Sequence, residues 1–340
     1  MIVRSKAPLR IGLAGGGTDV SPYSELFGGA ILNATIDLYA YASLEPQKGN
    51  KITFVIDGTD RSLELDVAEQ LPVTEGFELF TGVYNRVIRQ FGKTPFAFTL
   101  TSHIEAPQGS GLGTSSTIVV SLLGAFVEYF KLPLGKYDIA HLAYEIERVD
   151  LNMSGGKQDQ YAATFGGINY LEFFANDRVI VNPLVLKPEV HYEMEMCLLL
   201  YFTQTQRLSA DIINAQVKNV EDKNEQAIEA MHKLKEQAHL MKEYLLRGEL
   251  DKIGEVLHFG WQNKKQMAKS ISNSFIDDIY ESALAAGATG GKISGAGGGG
   301  FMFFYCPGVT KVKTAKALER FGGQVQHFAF TQQGLTTWTI

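Results

Sequence analysis

Three glycine-rich segments, at residues 15–17, 109–113 and 295–300, constrain the fold of this 340-residue chain more than any other sequence feature. An isolated glycine cluster is commonly a tight turn, so its flanking pattern decides how it is interpreted. The middle segment follows residues 96–105, where polar and apolar side chains alternate as in a strand. It precedes residues 117–130, which are apolar nearly all round, as in a buried helix. This order predicts a glycine loop that joins a strand to the start of a helix.

The composition of the middle segment favours a phosphate-binding loop over a simple turn. Glycine lets the backbone approach a phosphate closely, and the amides and dipole at a helix start favour negative charge. A turn with an N-cap would not need three alternating glycines and three hydroxyl side chains, which can bind phosphate oxygens or a magnesium ion. We therefore predict that the loop binds a nucleotide through Pro107, Gln108, Gly109, Ser110, Gly111, Leu112, Gly113, Thr114, Ser115 and Ser116.

Other phosphate-binding motifs do not fit this sequence. Residues 290–292 read Gly-Gly-Lys, but isoleucine follows, and Ala286 stands where a Walker sequence needs glycine. Residues 295–300 match the spacing GxGxxG, but an apolar strand pattern follows where a dinucleotide-binding fold has a helix. A dinucleotide-dependent oxidoreductase is therefore disfavoured, and the sequence lacks the HRD and DFG signatures of protein kinases.

Charge and composition narrow the class of protein further. A net charge of −6 argues against a nucleic-acid partner. Cys197 and Cys306 lie in apolar runs, so we interpret them as buried strand residues in a reducing compartment. The N-terminus resembles no signal peptide, and no apolar run is long enough to span a membrane. We expect a cytoplasmic protein without a membrane partner, and no pattern indicates its oligomeric state.

The order of strand and helix patterns predicts an α+β architecture with two domains. Strand patterns dominate the first third of the chain, and an amphipathic helix is predicted at residues 137–149. A buried strand is predicted at 194–202 and a long helical stretch at 211–247. Because the composition shifts near residue 185, we predict one domain at residues 1–185 and a second at 186–340.

Together, the glycine segments resemble the three motifs of the GHMP kinases, the family of galactokinase, homoserine kinase, mevalonate kinase and phosphomevalonate kinase. The first is PLRIGLAGGGTD at residues 8–19, the second is residues 107–116, and the third is KISGAGGGGF at 292–301. They occur in the family's order and span almost the whole chain. The resemblance implies a two-domain GHMP kinase fold, with a ribosomal protein S5 domain 2-like N-terminal domain and a ferredoxin-like C-terminal domain. It also implies ATP and Mg²⁺.

The first motif and the segment SGGKQDQYAATFGG at residues 154–167 are most similar to the heptose 7-phosphate kinases of this family. That similarity implies a sugar phosphate substrate and transfer to its anomeric hydroxyl, giving a heptose 1,7-bisphosphate for nucleotide-heptose synthesis. Galactokinases carry GEHTDY in the first motif, which this chain lacks. A fucose, galactose or amino-sugar 1-kinase remains an alternative, as does a non-catalytic binding protein with the same fold.

The resemblance assigns two catalytic residues. Asp159 matches the aspartate that faces the acceptor hydroxyl and would take its proton, although an aspartate there could also cap the next helix. Arg10 matches a basic position of the first motif and would hold Asp159 ionised and stabilise the transferred phosphoryl group. Without the motif, Arg10 would be interpreted as a surface arginine.

The metal and substrate sites also follow from the resemblance. Glu147 and Ser115 would bind Mg²⁺, and helical geometry places Glu147 at the edge of an apolar stripe, although it could be a solvated glutamate. A carboxylate such as that of Asp19 suits vicinal sugar hydroxyls, and Arg207 could pair with the substrate's phosphate. The complete set of predicted substrate-binding residues is Gly16, Gly17, Thr18, Asp19, Gly156, Arg207, Gly297 and Gly298.

Overall fold

A computed structural model describes residues 1–107, 109–205 and 209–340 of the chain. Its strands form two sheets and its helices pack on both of them, which confirms the predicted α+β class. The strands are β1 Val3–Ala14, β2 Gly29–Pro46, β3 Lys51–Ile56, β4 Ser62–Asp66, β5 Phe98–Ile104, β6 Ile168–Phe173, β7 Val179–Pro183, β8 Leu198–Phe202, β9 Gly290–Ile293, β10 Phe301–Tyr305, β11 Gln324–Gln326 and β12 Thr336–Thr339.

Eleven α-helices lie in the described residues, together with a π-helical turn at Ile146–Asp150 and short 3₁₀ turns at Leu250–Lys252, Lys269–Ile271 and Glu319–Phe321. None of these helices has both the length and the apolar character to cross a membrane. They are α1 Tyr23–Phe27, α2 Glu78–Phe91, α3 Thr114–Phe130, α4 Lys136–Glu145, α5 Gln158–Phe165, α6 Pro188–Cys197, α7 Ser209–Glu221, α8 Glu225–Arg247, α9 Ile253–Met267, α10 Ser274–Ala286 and α11 Thr310–Leu318.

The larger sheet has eight strands, with β12, β1, β2, β5, β3 and β4 side by side and β6 and β7 continuing from another part of β2. Its pairs are antiparallel except β3 with β5. The 18-residue β2 can pair with three strands because its two halves have different neighbours. Since β12 pairs with β1, the last residues of the chain return to the first sheet.

The smaller sheet is antiparallel, in the order β11, β8, β10 and β9. Every residue of β10 is buried and all are apolar or aromatic, as expected for a strand covered on both faces. Apolar side chains of β1 and β2 form one buried core with side chains of β8, β10, α8 and α9. The two sheets are therefore joined by a continuous hydrophobic core. The predicted domain boundary at 185/186 stays a prediction.

Two sequence predictions in the second half of the chain need correction. Residues 194–202 are not one strand, because α6 continues to Cys197 and β8 begins at Leu198. Pro188 occupies the first helical turn, and the helical spacing of Val190, Met194 and Cys197 buries one face of α6. Cys197 is thus a buried helix residue rather than a strand residue, and it forms no disulfide with the equally buried Cys306.

The predicted helical stretch 211–247 is interrupted. The chain leaves α7 after Glu221, and Asn224 begins α8 by accepting a hydrogen bond from the Ala227 amide. An asparagine side chain at this position satisfies an amide that the first helical turn leaves without a partner. The predicted helix 137–149 is confirmed as α4, and its continuation is the π-helical turn Ile146–Asp150.

Candidate active site

The glycine loop stands where the sequence predicts it, between β5 and α3. Gly109, Gly111 and Gly113 have φ angles of 71°, 79° and 80°, a left-handed conformation that glycine adopts without steric cost. Helix α3 begins directly after Gly113, so the amides of its first turn have no partner within the helix. Such a helix start favours an anion. Gln108, also predicted for this loop, lies outside the described residues.

The third glycine segment packs against this loop. A Cβ atom on Gly111 would lie 2.2 Å from the Ser294 carbonyl oxygen, so the two backbones approach more closely than any side chain would allow. The Phe301 amide donates to the Ser110 carbonyl at 2.8 Å, and Ser294 Oγ donates to the Gly111 carbonyl at 2.9 Å. These contacts fix the position of the loop relative to the smaller sheet.

A cavity of about 1070 Å³ runs from the glycine loop to helices α7 and α9. Of the predicted nucleotide-binding residues it is lined by Gly109, Gly111, Gly113, Thr114, Ser115 and Ser116. Ser110 and Leu112 are buried beneath the loop. Asp57, Arg61 and Val73 extend one end of the cavity past the β3–β4 hairpin, and Gln216 and Lys264 line it on the side of the smaller sheet.

Arg10 and Asp159 meet in this cavity beside the glycine loop. Arg10 Nε and Nη2 both lie 2.7 Å from Asp159 Oδ1, and Arg10 Nη1 donates to the Gly111 carbonyl at 2.5 Å. Arg10 is buried, which contradicts the surface interpretation, whereas the Asp159 side chain keeps 22% exposure toward the cavity. Lys157 precedes α5 without a side-chain cap, so Asp159 in the first turn of α5 is an ion-pair partner and not its N-cap.

Glu147 lies in the π-helical turn after α4, and its side chain is 1% exposed rather than solvated. Gln160 Nε2 donates to Glu147 Oε2 and, at 3.0 Å, to Ser116 Oγ. Burial raises the pKa of Glu147, although Arg148 and the hydrogen bonds from Ser116 and Gln160 oppose this rise. Ser115, at the start of α3, exposes its hydroxyl to the same cavity.

Asp19 lines the cavity and is held there by backbone amides. Its Oδ2 accepts from the Lys157 and Gln158 amides at 2.9 and 3.0 Å. A Cβ atom on Gly156 would lie 1.9 Å from the same oxygen, so this position requires glycine. Burial raises the pKa of Asp19, and the hydrogen bond from the Gln158 amide opposes the rise.

The remaining predicted substrate residues are placed differently from one another. Gly17 lines the cavity, whereas the Thr18 hydroxyl is buried within hydrogen-bond distance of the Gly15 and Ala30 carbonyls, at 2.8 and 2.9 Å, which is a structural contact. Gly297 and Gly298 pack against Ile271, and the Gly298 amide donates to the Ile271 carbonyl at 2.9 Å. Arg207 lies outside the described residues.

Sequence reasoning missed several polar residues that line this cavity or lie directly behind its wall. Gln160 contacts Glu147, and Gln216 and Lys264 line the cavity from α7 and α9. Lys264 did leave a signal, because it follows Leu257 by seven residues and Trp261 by three and so shares their buried helix face. A lysine in such a position must face either a partner or a ligand.

Family models match both halves of the chain. The model described as "GHMP kinases N terminal domain" matches residues 78–167, and "GHMP kinases C terminal" matches residues 241–324. The chain belongs to the GHMP kinase family, as its three motifs predict. The predicted two-domain GHMP kinase fold is confirmed with it.

Individual relatives cover almost the whole chain. It is 44% identical, over 338 residues and 99% of both chains, to the D-glycero-alpha-D-manno-heptose 7-phosphate kinase of Campylobacter jejuni. A crystal structure of a D-glycero-D-manno-heptose 1-phosphate kinase from Bacteroides thetaiotaomicron is 45% identical, covers 99% of both chains and superposes with a TM-score of 0.85. A putative sugar kinase from Campylobacter jejuni is 42% identical, with 100% and 98% coverage and a TM-score of 0.82.

Proposed function

We propose that this protein is an ATP-dependent kinase that phosphorylates the anomeric hydroxyl of a sugar phosphate, D-glycero-D-manno-heptose 7-phosphate. The observation that carries the reaction type is the ion pair of Arg10 and Asp159 beside the glycine loop. It places a carboxylate and a fixed positive charge at the end of a loop suited to phosphate. Membership of the kinase family and the 44% identical relative support the substrate.

In this reaction the anomeric oxygen attacks the γ-phosphorus of ATP. Its proton passes to the Asp159 carboxylate, and the bond from phosphorus to the β,γ-bridging oxygen breaks to release ADP. Asp159 acts as general base, and Arg10 orients it while stabilising negative charge on the transferred group. Because Arg10 also donates to the Gly111 carbonyl, the base and the phosphate loop are held in one geometry.

The residues around Glu147 fit a magnesium ion. A carboxylate and a hydroxyl are the hard oxygen ligands that Mg²⁺ takes from proteins, with phosphates and water completing its shell. Burial raises the pKa of Glu147, so a nearby divalent cation would favour its charged form. Glu147 and Ser115 would hold the ion, which supplies positive charge to the triphosphate, while Gln160 orients the Glu147 carboxylate.

On the acceptor side, we propose that Asp19 binds sugar hydroxyls. Its carboxylate is fixed by two backbone amides and lines the cavity that also contains Asp159. The backbone of Gly17 and Gly156 borders the same space. The roles of Gly16, Thr18, Arg207, Gly297 and Gly298 in substrate binding stay predictions, as do the domain boundary and a cytoplasmic site of action, where ATP is available.

The test of this proposal is ADP release with MgATP and a panel of acceptors: heptose 7-phosphate, mannose 6-phosphate, fucose, galactose and homoserine. We expect turnover with heptose 7-phosphate and little with the others. Turnover of an unphosphorylated sugar alone would keep the reaction and discard the acceptor. ATP binding without turnover of any acceptor would instead support a non-catalytic role.

A further inference from the structure

We propose that Lys264 and Gln216 form the subsite that binds the acceptor's own phosphate group, next to Gly16. The subsite rests on the proposed function, because it requires an acceptor that already carries a phosphate. Both residues come from the second half of the chain, on α9 and α7, and face the N-terminal motif across the cavity. Lys264 thereby lies between the first glycine segment and Gly295 of the third, and Gln216 lies beside Gly17.

The Lys264 ammonium group is placed as a ligand-binding group rather than as half of an ion pair. Lys264 is 2% exposed and lines the cavity, and Nζ donates to the Gly295 carbonyl at 2.5 Å. No carboxylate of the described residues lies within 4.0 Å of this nitrogen. An ammonium group has three donors, so two remain for a ligand.

Lys264 lies near two other basic side chains, Arg10 and Lys292, and Asp159 is already paired with Arg10. Arg10 and Lys292 repel Lys264, and Asp19 is the acidic group that attracts it. Burial, with repulsion from Arg10, lowers the pKa of Lys264 to about 8. Burial and repulsion from Lys264 lower the pKa of Lys292 well below its ordinary value, and Lys292 Nζ donates to the Gly12 carbonyl at 2.7 Å. A phosphate dianion would compensate this charge and restore full protonation of Lys264.

Gln216 supplies an uncharged donor to the same part of the cavity. Its side chain is 3% exposed, and Nε2 has no hydrogen-bond partner among the described residues. A buried amide without a partner costs free energy, which a ligand oxygen would recover. Gln216 Oε1 lies 3.4 Å from the position that a Cβ atom on Gly17 would take, so the amide is adjacent to the first glycine segment.

Gly16 places no side chain beside Lys264. A Cβ atom on Gly16 would lie 3.5 Å from Lys264 Nζ and 3.8 Å from Lys292 Nζ. Because no side chain at position 16 contacts Lys264, its ammonium group stays accessible to an anionic group of the acceptor.

The experiment is calorimetric titration, without ATP, of D-glycero-D-manno-heptose 7-phosphate and of the same heptose without phosphate. The wild-type protein should bind the phosphorylated sugar more tightly. Lys264→Met removes the charge but keeps an apolar side chain of similar length. This variant should bind the phosphorylated sugar about 10- to 100-fold more weakly than the wild type does, and the free sugar less than about 3-fold more weakly. Gln216→Leu should show the same selectivity with a smaller loss.

Lys265→Met is the matched control, because Lys265 is the next residue, pairs with Asp277 and does not line the cavity. It should bind both sugars as the wild type does. The subsite would be refuted if Lys264→Met weakened the binding of both sugars equally or of neither. It would also be refuted if the wild-type protein bound both sugars equally well.

ADP release is measured separately and distinguishes the two proposals. A binding preference without turnover would refute the kinase function alone, and turnover with an unchanged binding preference in Lys264→Met would refute the subsite alone.

A second pair of variants keeps Lys264 in place. Gly16→Glu adds a carboxylate within reach of Lys264, and Gly16→Gln adds the same volume without charge. Gly16→Glu should therefore discriminate against the phosphorylated sugar much more than Gly16→Gln does. Identical selectivity in the two variants would contradict an electrostatic subsite at this position.

Discussion

At the scale of single residues, the cavity holds charged side chains that burial alone would not stabilise. Glu147, Asp19 and Lys264 are each 2% exposed or less. Burial shifts the pKa of each toward its neutral form, upward for the two acids and downward for the lysine. A folded chain keeps such groups at a cost in stability, which is the pattern of groups retained for binding or catalysis.

Glu147→Gln is expected to separate stability from activity. The folded-state pKa of Glu147 is raised above its ordinary 4.5, so the charged form destabilises the fold and stability falls as pH rises through the folded pKa. Glutamine keeps an acceptor for Gln160 and avoids this loss. The melting temperature of Glu147→Gln should therefore equal that of the wild type near pH 4 and exceed it at pH values above the folded-state pKa of Glu147.

The same variant should need about 10- to 100-fold more Mg²⁺ for half-maximal activity, because a proposed metal ligand has lost its charge. Thermal denaturation at several pH values and magnesium titration of ADP release measure the two effects. Glu172→Gln, in the larger sheet away from the cavity, is the control for a carboxylate-to-amide change. A lower melting temperature at pH 8, with unchanged magnesium dependence, would contradict the role of Glu147.

At the scale of elements, the glycine loop depends on the close contact between β5–α3 and the third glycine segment. Gly111 has a φ of 79°, and a Cβ atom there would lie 2.2 Å from the Ser294 carbonyl. Gly92 also has a positive φ, of 56°, but nothing lies within 4 Å of its Cβ position. Substitution by alanine would therefore strain the backbone at both positions, but only at Gly111 would the new Cβ atom collide with a neighbouring segment.

Gly111→Ala should weaken ATP binding at least about 10-fold, because the loop must move away from Ser294 as well as adopt a strained φ. Gly92→Ala should lower the free energy of unfolding by about 1 kcal/mol and leave ATP binding unchanged. Nucleotide titration and chemical denaturation of both variants measure this difference. Equal ATP affinity in the two variants would show that the contact does not shape the nucleotide site.

The elements also show how far the sequence alone predicts this site. The order of β5, glycine loop and α3 is local, and both periodicities and the helix start are readable in residues 96–130. The interruption between α7 and α8 depends on the cap at Asn224, and the end of α6 depends on packing of its buried face. Such boundaries are set by a single side chain or by tertiary contacts. The pattern of apolar residues continues across them and therefore does not reveal where one element ends.

At the scale of the whole molecule, the site is assembled from distant parts of the chain. Arg10 and Asp159 are 149 residues apart in sequence, and Lys264 approaches Arg10 from helix α9. The resemblance to the family predicted Arg10 and Asp159, because a motif assigns a role to a particular position. Residue spacing alone does not do this. Gln216 and Lys264 lie in no motif, and the packing of α7 and α9 against the first glycine segment brings them into the cavity.

In the proposed mechanism, this assembled cavity transfers phosphate with Asp159 as the base. The most direct test is single-turnover phosphorylation of heptose 7-phosphate by Asp159→Asn, with ATP binding measured on the same preparation. We predict a rate about 10²- to 10⁴-fold lower with near-normal ATP affinity, while Asp278→Asn, at an exposed position of α10, behaves as the wild type. An undiminished rate in Asp159→Asn would contradict the mechanism.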